Sequence, residues 1–278
     1  MADDWYRAHL ACPDCRRPLS GESCACGFVV RDRDLRPQNP PARALEFTLG
    51  FAPDLDACRI ERPRVTYSGP RALRDSSELF SAIEPQLRRG ATLLDLGCGP
   101  RDQAAPAAHY GLQYVGADVA SLDADLRIDA HAIPFRDATF DVVFSYAVLE
   151  HLANPFLAVH EIARVLKPGG VFVGTVSQGE PFHDSYFHHT AFGLLSVLAA
   201  NGLHADQLWP SYDTLHALAT MGRYPRVLRL LIELVHRAGR ALPMLAPRKF
   251  FRWTPRERAV DELHRAASIC FTARRTAD

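Results

Sequence analysis

Leu93-Leu94-Asp95-Leu96-Gly97-Cys98-Gly99-Pro100, followed after one more apolar run by Val115-Gly116-Ala117-Asp118, decides the fold of this 278-residue chain. Apolar residues, an Asp and then Gly-x-Gly describe a buried parallel strand that ends in a turn too tight for a Cβ, where backbone approaches a ligand closely. The spacing to the second acid, Asp118, fits one βαβ step of about 20 residues. A dinucleotide fingerprint needs a third glycine three residues after the second, at the start of a helix that receives pyrophosphate. That position is Asp102. Carboxylates at Asp102 and Asp95 would repel a pyrophosphate, so the ligand of this loop is expected to be nucleoside-bearing and to carry positive charge.

Downstream segments extend the pattern. Ile128-Asp129-Ala130-His131-Ala132-Ile133-Pro134-Phe135 follows the second strand, and Phe140-Asp141-Val142-Val143-Phe144-Ser145 reads as a further buried strand. Leu149-Glu150-His151-Leu152 comes next, then Glu161 to Gly170 as a helix and turn leading into a strand over Val171 to Val176. Six elements in this order resemble the class I S-adenosylmethionine-dependent methyltransferases, a far more specific match than a lone glycine loop. The competing reading is an unrelated doubly wound domain.

The resemblance implies an α/β fold, a Rossmann-like seven-stranded sheet with helices on both faces. It places the cofactor on Asp95, Gly97, Cys98 and Gly99 of the first loop, with Asp118 and the adjoining Val119 at the ribose. It gives Asp129 the adenine amino group, Ala130 and His131 the base's surroundings, and Ser145 the end of the fourth strand. Leu149 to Leu152 matches the segment beside the transferable methyl.

The N-terminal segment carries a second signal. Cys12-Pro13-Asp14-Cys15 and Cys24-Ala25-Cys26-Gly27 put four of the seven cysteines in two tight turns, which in a reducing compartment reads as a zinc site before a disulfide framework. The expected ligands are Cys12, Cys15, Cys24 and Cys26, with His9 as substitute should one of the second pair point away. Residues 8–37 look like the short zinc ribbon fused ahead of some bacterial methyltransferase domains, too small to bury a core without metal. A structural zinc is its plain role, and gripping substrate or docking a partner the sharper one. Cys98 sits where the cofactor loop needs a small side chain and is assigned no redox role.

Between the modules, residues 38–70 are proline-rich and aperiodic and read as a linker; the resemblance implies that Tyr67, near its end, lies close to the cofactor, where a contact to the methionine carboxylate competes with a plain packing role. The domain proper then spans 71–278. Apolar spacing predicts a helix over residues 71–89 closed by Gly90, a helix ending at Asn201-Gly202, strands near 203–209 and 269–273, and a helical insertion at about 210–266. The insertion holds an apolar helix from Val227 to Val235, interrupted by Arg229 and Glu233, which suits a lid or a dimer face better than a membrane.

Composition narrows the function classes. There are 32 basic and 32 acidic residues, so formal charge is zero, without the bulk attraction of nucleic-acid binders. Lys167 and Lys249 are the only lysines; the arginine bias is that of a GC-rich bacterial genome. No apolar run suffices for a membrane span, and Met1-Ala2-Asp3-Asp4-Trp5 lacks the features of a signal peptide, so a cytoplasmic protein with no membrane role is expected. A basic C-terminal stretch, Arg248-Lys249-Phe250-Phe251-Arg252-Trp253 with Arg256, Arg258, Arg274 and Arg275, admits RNA, against solvated arginines around packed elements.

Methyl transfer needs an acceptor held roughly 3 Å behind the methyl carbon, water excluded, and a base when the acceptor is a hydroxyl or amine. Histidine suits that role. The candidates are His151 beside the methyl site and His183, His188 and His189 in the aromatic loop after the fifth strand. Tyr146 and Tyr186 are placed to orient an aromatic substrate.

The leading expectation is methylation of O, N or C of a small molecule in bacterial secondary metabolism, with zinc as structural metal. A homodimer or protein partner would dock through the ribbon or the insertion. Left open are an RNA-base methyltransferase, other S-adenosylmethionine chemistry such as cyclisation, and a non-catalytic cofactor-binding partner.

Overall fold

A computed structural model describes residues 5–39, 59–60, 77–181, 184–222, 224–245 and 255–276. Its centre is the strand that the Leu93 stretch predicts, β1 (Thr92–Leu96), followed by β2 (Gln113–Asp118), β3 (Leu126–Arg127), β4 (Phe140–Tyr146), β5 (Leu166–Ser177), β6 (Leu203–Pro210) and β7 (Ser268–Arg275). The order across the sheet is β3-β2-β1-β4-β5-β7-β6, and a two-residue segment, Arg59–Ile60, adds an eighth, outer strand parallel to β6. All pairs are parallel except those of β7, which runs antiparallel to both β5 and β6. The expected seven-stranded, Rossmann-like α/β sheet is present.

Helices cover both faces because the inner strands alternate their apolar residues between two cores. Leu94, Leu96 and Val143 join one cluster with helix α3 (Pro155–Val165) and α4 (Ala191–Ala199). Leu93, Val142 and Phe144 join the other with α1 (Ser77–Ile83) and α2 (Ala104–His109). This is the period-2 arrangement of a strand buried on two sides.

Local chemistry sets the helix ends. Asn154 caps α3 by accepting the Leu157 N–H at 3.1 Å, with Pro155 in the first turn where its missing N–H is harmless. Thr190 caps α4 through Gly193 N–H at 3.1 Å. The helix expected over 71–89 is shorter within the described residues: α1 ends at Ile83 and passes into a 3-10 turn, Glu84–Gln86, at Pro85. Gly90, at φ +84°, makes the reversal into β1. Residues 71–76, most of the 38–70 linker, Tyr67 and His183 lie outside the described residues.

Among the described residues, α5 (Thr214–Met221), α6 (Arg226–Leu245) and α7 (Pro255–His264) lie between β6 and β7. Helix α6 runs well past the predicted Val235 end.

The N-terminal module is not a separate bead. Tyr6, Cys12, Leu19, Phe28 and Leu35 are buried in the same core as Phe135, Phe140 and Ile133. Backbone bonds stitch it on: Ala11 N–H to Pro134 O at 3.0 Å, Arg136 N–H to His9 O at 2.9 Å, and Leu35 N–H to Arg127 O at 2.8 Å. Thus the few residues of the module complete their core against the larger domain.

Candidate functional site

The strand order reverses between β1 and β4, and open α/β sheets bind ligands outside the carboxyl ends of strands at such a switch point. The loop after β1 lies there. Gly97 has φ +76° and a Cβ on it would stand 2.3 Å from Val148 Cγ2, so backbone freedom and close approach both require glycine. Gly99, at φ +50°, faces open space. Gly97 and Cys98 donate to Ala117 O at 2.7 and 3.1 Å, tying the loop to the end of β2.

Asp118 organises both sides of this crevice. Its Oδ2 accepts from Gly99 N–H at 3.0 Å, and its Oδ1 accepts from Ala120 and Ser121 N–H at 2.8 and 2.9 Å. Ser121 Oγ returns a bond to Gly99 O at 2.6 Å. The acid therefore shapes the loop it is expected to serve. Beside it Val119 is 57% exposed, an apolar surface next to the crevice.

Asp95 is buried at the end of β1 and accepts a 2.7 Å bond from Tyr114 Oη. Burial raises its pKa to about 7; the Tyr114 bond opposes this, while the charges of Asp118 and Asp102 add to it. A cationic ligand would relieve that repulsion, in keeping with the sign expected from the sequence. Burial pushes the Cys98 thiol up to about 12, which agrees with a packing role.

The segment 128–135, expected at the adenine, is equally ordered. Asp129 Oδ1 accepts the His131 N–H at 2.9 Å and lies 2.7 Å from His131 Nδ1, while Asn154 N–H donates to His131 Nε2 at 3.2 Å. Accepting at Nε2 fixes the proton on Nδ1 in the neutral ring, directed at the carboxylate. Ala130 is buried beneath this turn.

At the carboxyl ends of β4 and β5 the chain buries a group of polar atoms that have no partner among the described residues: Ser145 Oγ, Glu150 Oε2, Ser177 Oγ and His189 Nδ1. Glu150 and His189 meet at one residue, since Ser177 N–H donates to Glu150 Oε1 at 3.2 Å and Ser177 O accepts from His189 N–H at 2.8 Å. Unpaired buried polar groups cost free energy and are uncommon. Four of them along one sheet end mark a site built for a ligand. Ala147, at φ +56°, adds a strained non-glycine residue at the end of β4.

The structure sorts the proposed bases. His189 is buried, and burial with neighbouring His188 lowers its pKa to about 4, so its imidazole is neutral. His151 and His188 are exposed, Tyr186 is 69% exposed, and Tyr146 is half-buried. Glu150 is the residue whose chemistry the sequence reading passed over. It is fully buried, and burial raises its pKa to about 7, near the optimum for a general base. The signal was available: an acid at the centre of Leu149-Glu150-His151, a 3-10 turn in which successive side chains diverge by about 120°, so Glu150 enters while His151 leaves.

The four N-terminal cysteines converge. Their sulfurs lie within 4.8 Å of one another, with Cys12–Cys26 and Cys15–Cys24 both at 3.5 Å. A tetrahedral zinc with roughly 2.3 Å bonds sets its sulfurs about 3.8 Å apart, so the donor set fits. The Cys-x-Cys spacing is accommodated by the turn at Gly27, φ +98°, and His9 is not needed as a ligand. Next to the first turn, Arg16 binds Ile133 O at 2.9 Å and pairs with buried Glu161. Glu161 also accepts from Ile133 N–H at 3.0 Å and from Arg164 at 3.0 Å.

A class of protein follows from the switch-point loop, the two strand-end acids and the strand order. Residues 94–174 match the methyltransferase domain family, so this stretch of the chain is a methyltransferase domain similar to those of the class I S-adenosylmethionine-dependent enzymes. Among its relatives, an uncharacterized methyltransferase of Mycobacterium sp. (strain JLS) is 33% identical over 108 residues, 35% of this chain and 43% of that protein. A ubiquinone biosynthesis O-methyltransferase of Chelativorans sp. (strain BNC1) is 32% identical over 125 residues, 38% of this chain and 49% of that protein. The chain thus spans less than half the length of these curated relatives. A solved structure described as a candidate sarcosine dimethylglycine methyltransferase from Galdieria sulphuraria superposes with a TM-score of 0.50 at 17% identity, covering 74% of this chain and 86% of that one. That likeness concerns the fold.

Proposed function

We propose that the protein transfers a methyl group from S-adenosylmethionine to O, N or C of a small molecule in bacterial secondary metabolism. The observation that carries this reading is the row of unpartnered buried polar atoms at Ser145, Glu150, Ser177 and His189, beside a loop whose acids favour a cation. The cofactor supplies an electrophilic methyl on a sulfonium whose leaving group needs no proton. Asp118 and Asp129 hold the ribose and adenine, and Gly97 and Gly99 let backbone approach. Glu150 accepts the acceptor's proton at Oε2, and neutral His189 orients the acceptor through Nδ1. Burial of this row excludes water.

An oxygen acceptor is the first to test, given the O-methyltransferase among the relatives. Arg274 is paired with Asp206 at 3.0 Å and Arg275 donates to Leu166 O, which supports the packed reading of the terminal arginines over RNA binding. The cysteine cluster holds a structural zinc that fixes the Arg16 turn against the adenine segment.

Calorimetry with S-adenosylmethionine tests the cofactor assignment. Asp118→Ala is expected to weaken binding by about 1–3 kcal/mol, through lost hydrogen bonds to a charged group. Unchanged affinity would refute it.

A further inference from the structure

Helix α6 is mounted inside out. Its polar side turns inward onto α5, where His236 is buried with Nδ1 3.4 Å from Asp213 and Glu233 lies 3.3 Å from His216 Nδ1. Its apolar side faces solvent: Val227 is 69% exposed, Leu230 71%, Leu231 53%, Leu234 63% and Val235 60%. At 100° per residue these side chains fall on one arc, and at 1.5 Å per residue α6 presents it over about 12 Å between Val227 and Val235. A contiguous apolar face of this kind marks an interaction surface.

Charge says what covers it. Between residues 226 and 258 the sequence has nine Arg or Lys (226, 229, 237, 240, 248, 249, 252, 256, 258) and two acids (233, 257), hence net +7 in a chain whose total is zero. Arg226 and Arg237 border the apolar arc, with Arg237 76% exposed and bonded to Glu233 on its own helix. A second copy seated on this face would bring the arginines that border it, Arg226 and Arg237, against their like. Phosphate alone would leave the leucines wet. An anionic lipid surface satisfies both properties, taking the apolar side chains below the headgroups and the arginines among them. The adjoining Phe250-Phe251-Arg252-Trp253 has the aromatic and basic composition of that boundary.

We infer that α6 is a peripheral membrane-docking helix that lies in the plane of an anionic lipid surface. None of the helices in the described residues is long and apolar enough to cross a membrane, so the association is superficial and salt-sensitive. The inference stands apart from the methyl-transfer reading, because among the described residues α6 packs on α5 and its ion pairs run to His216 and Asp213.

The test is co-sedimentation of the full chain with vesicles of phosphatidylglycerol and phosphatidylcholine, against vesicles of phosphatidylcholine alone. Binding is expected on the anionic vesicles, weakening as salt rises. Leu231→Glu with Leu234→Glu is expected to lower it more than tenfold, as is Arg226→Glu with Arg229→Glu, while calorimetric affinity for S-adenosylmethionine and far-ultraviolet helicity stay unchanged. Absence of vesicle binding at low salt overturns the inference. So does equal binding to both vesicle types, or a wild-type dimer in analytical ultracentrifugation that Leu231→Glu with Leu234→Glu dissociates.

Discussion

Replacing Glu150 by Gln isolates the electrostatic consequence of burying that carboxyl. Gln has nearly the same shape and keeps a carbonyl oxygen to accept the Ser177 N–H that now reaches Glu150 Oε1 at 3.2 Å. What it removes is the charge. In the folded chain burial raises the Glu150 pKa from 4.5 to about 7. A raised folded-state pKa gives a contribution that is fully present below the unfolded value and lost as pH climbs through the folded one. Glu150 therefore costs nothing below about pH 4 and progressively destabilises the fold between about pH 4.5 and 7. At about 1.4 kcal/mol per pH unit, the cost approaches roughly 3 kcal/mol at high pH. Relative to wild type, Glu150→Gln is thus expected to gain about 2.5 kcal/mol in unfolding free energy on going from pH 5 to pH 8.5. Urea denaturation of both proteins at the two pH values measures it. Any constant effect of the new amide cancels in the difference. A stability difference that is the same at both pH values, within about 0.5 kcal/mol, would refute a buried, raised carboxyl. The same variant, more stable above neutrality, is expected to be the less active one, a trade common to sites that hold unpaired polar groups.

Three further perturbations address the remaining parts. Gly97→Ala is expected to weaken S-adenosylmethionine binding and lower the melting temperature, because its Cβ would lie 2.3 Å from Val148 Cγ2; Gly97→Ala with Val148→Ala should recover part of both, and no recovery in thermal melts or calorimetry would place the fault in the backbone alone. Glu161→Ala removes the acceptor shared by Arg16, Arg164 and Ile133 N–H, and leaving these groups unpaired is expected to cost about 3–5 kcal/mol; a loss under about 1 kcal/mol in urea denaturation would show that water replaces it. Elemental analysis is expected to find one zinc per chain in the wild type and none in Cys12→Ser with Cys15→Ser, with a lowered melting temperature on chelation; metal retained by the double variant would count against the four-cysteine site.

The order of strands was legible because each inner strand is a short apolar run closed by a diagnostic residue, Asp95 with Gly97 for β1 and Asp118 for β2. Patterns of this kind are local, so a linear reading recovers them. The strand-end positions of Asp95 and Asp118 were legible for the same reason, and Asp102 in place of a glycine argued against the competing fingerprint. Glu150 and His189 were harder. Both stand near other histidines, and only burial separates Glu150 and His189 inside from His151 and His188 outside. The α6 helix shows the limit most sharply: its sequence suggests a lid or a dimer face, and periodicity alone does not say which side meets the protein and which meets solvent.

By itself, then, the sequence determined a doubly wound sheet, a glycine turn with acids at the β1 and β2 ends, and four cysteines in two turns, because all three are written in short-range spacing. Tertiary structure decided what depends on distant segments meeting. It brought Cys26 to 3.5 Å from Cys12 and joined the N-terminal module to the adenine segment through Arg16 and Ile133. It also left Glu150 Oε2 without a partner in the core and turned the leucines of α6 outward. Burial is a property of the assembled chain, and it alone sets which carboxyl is raised and which apolar face stays wet.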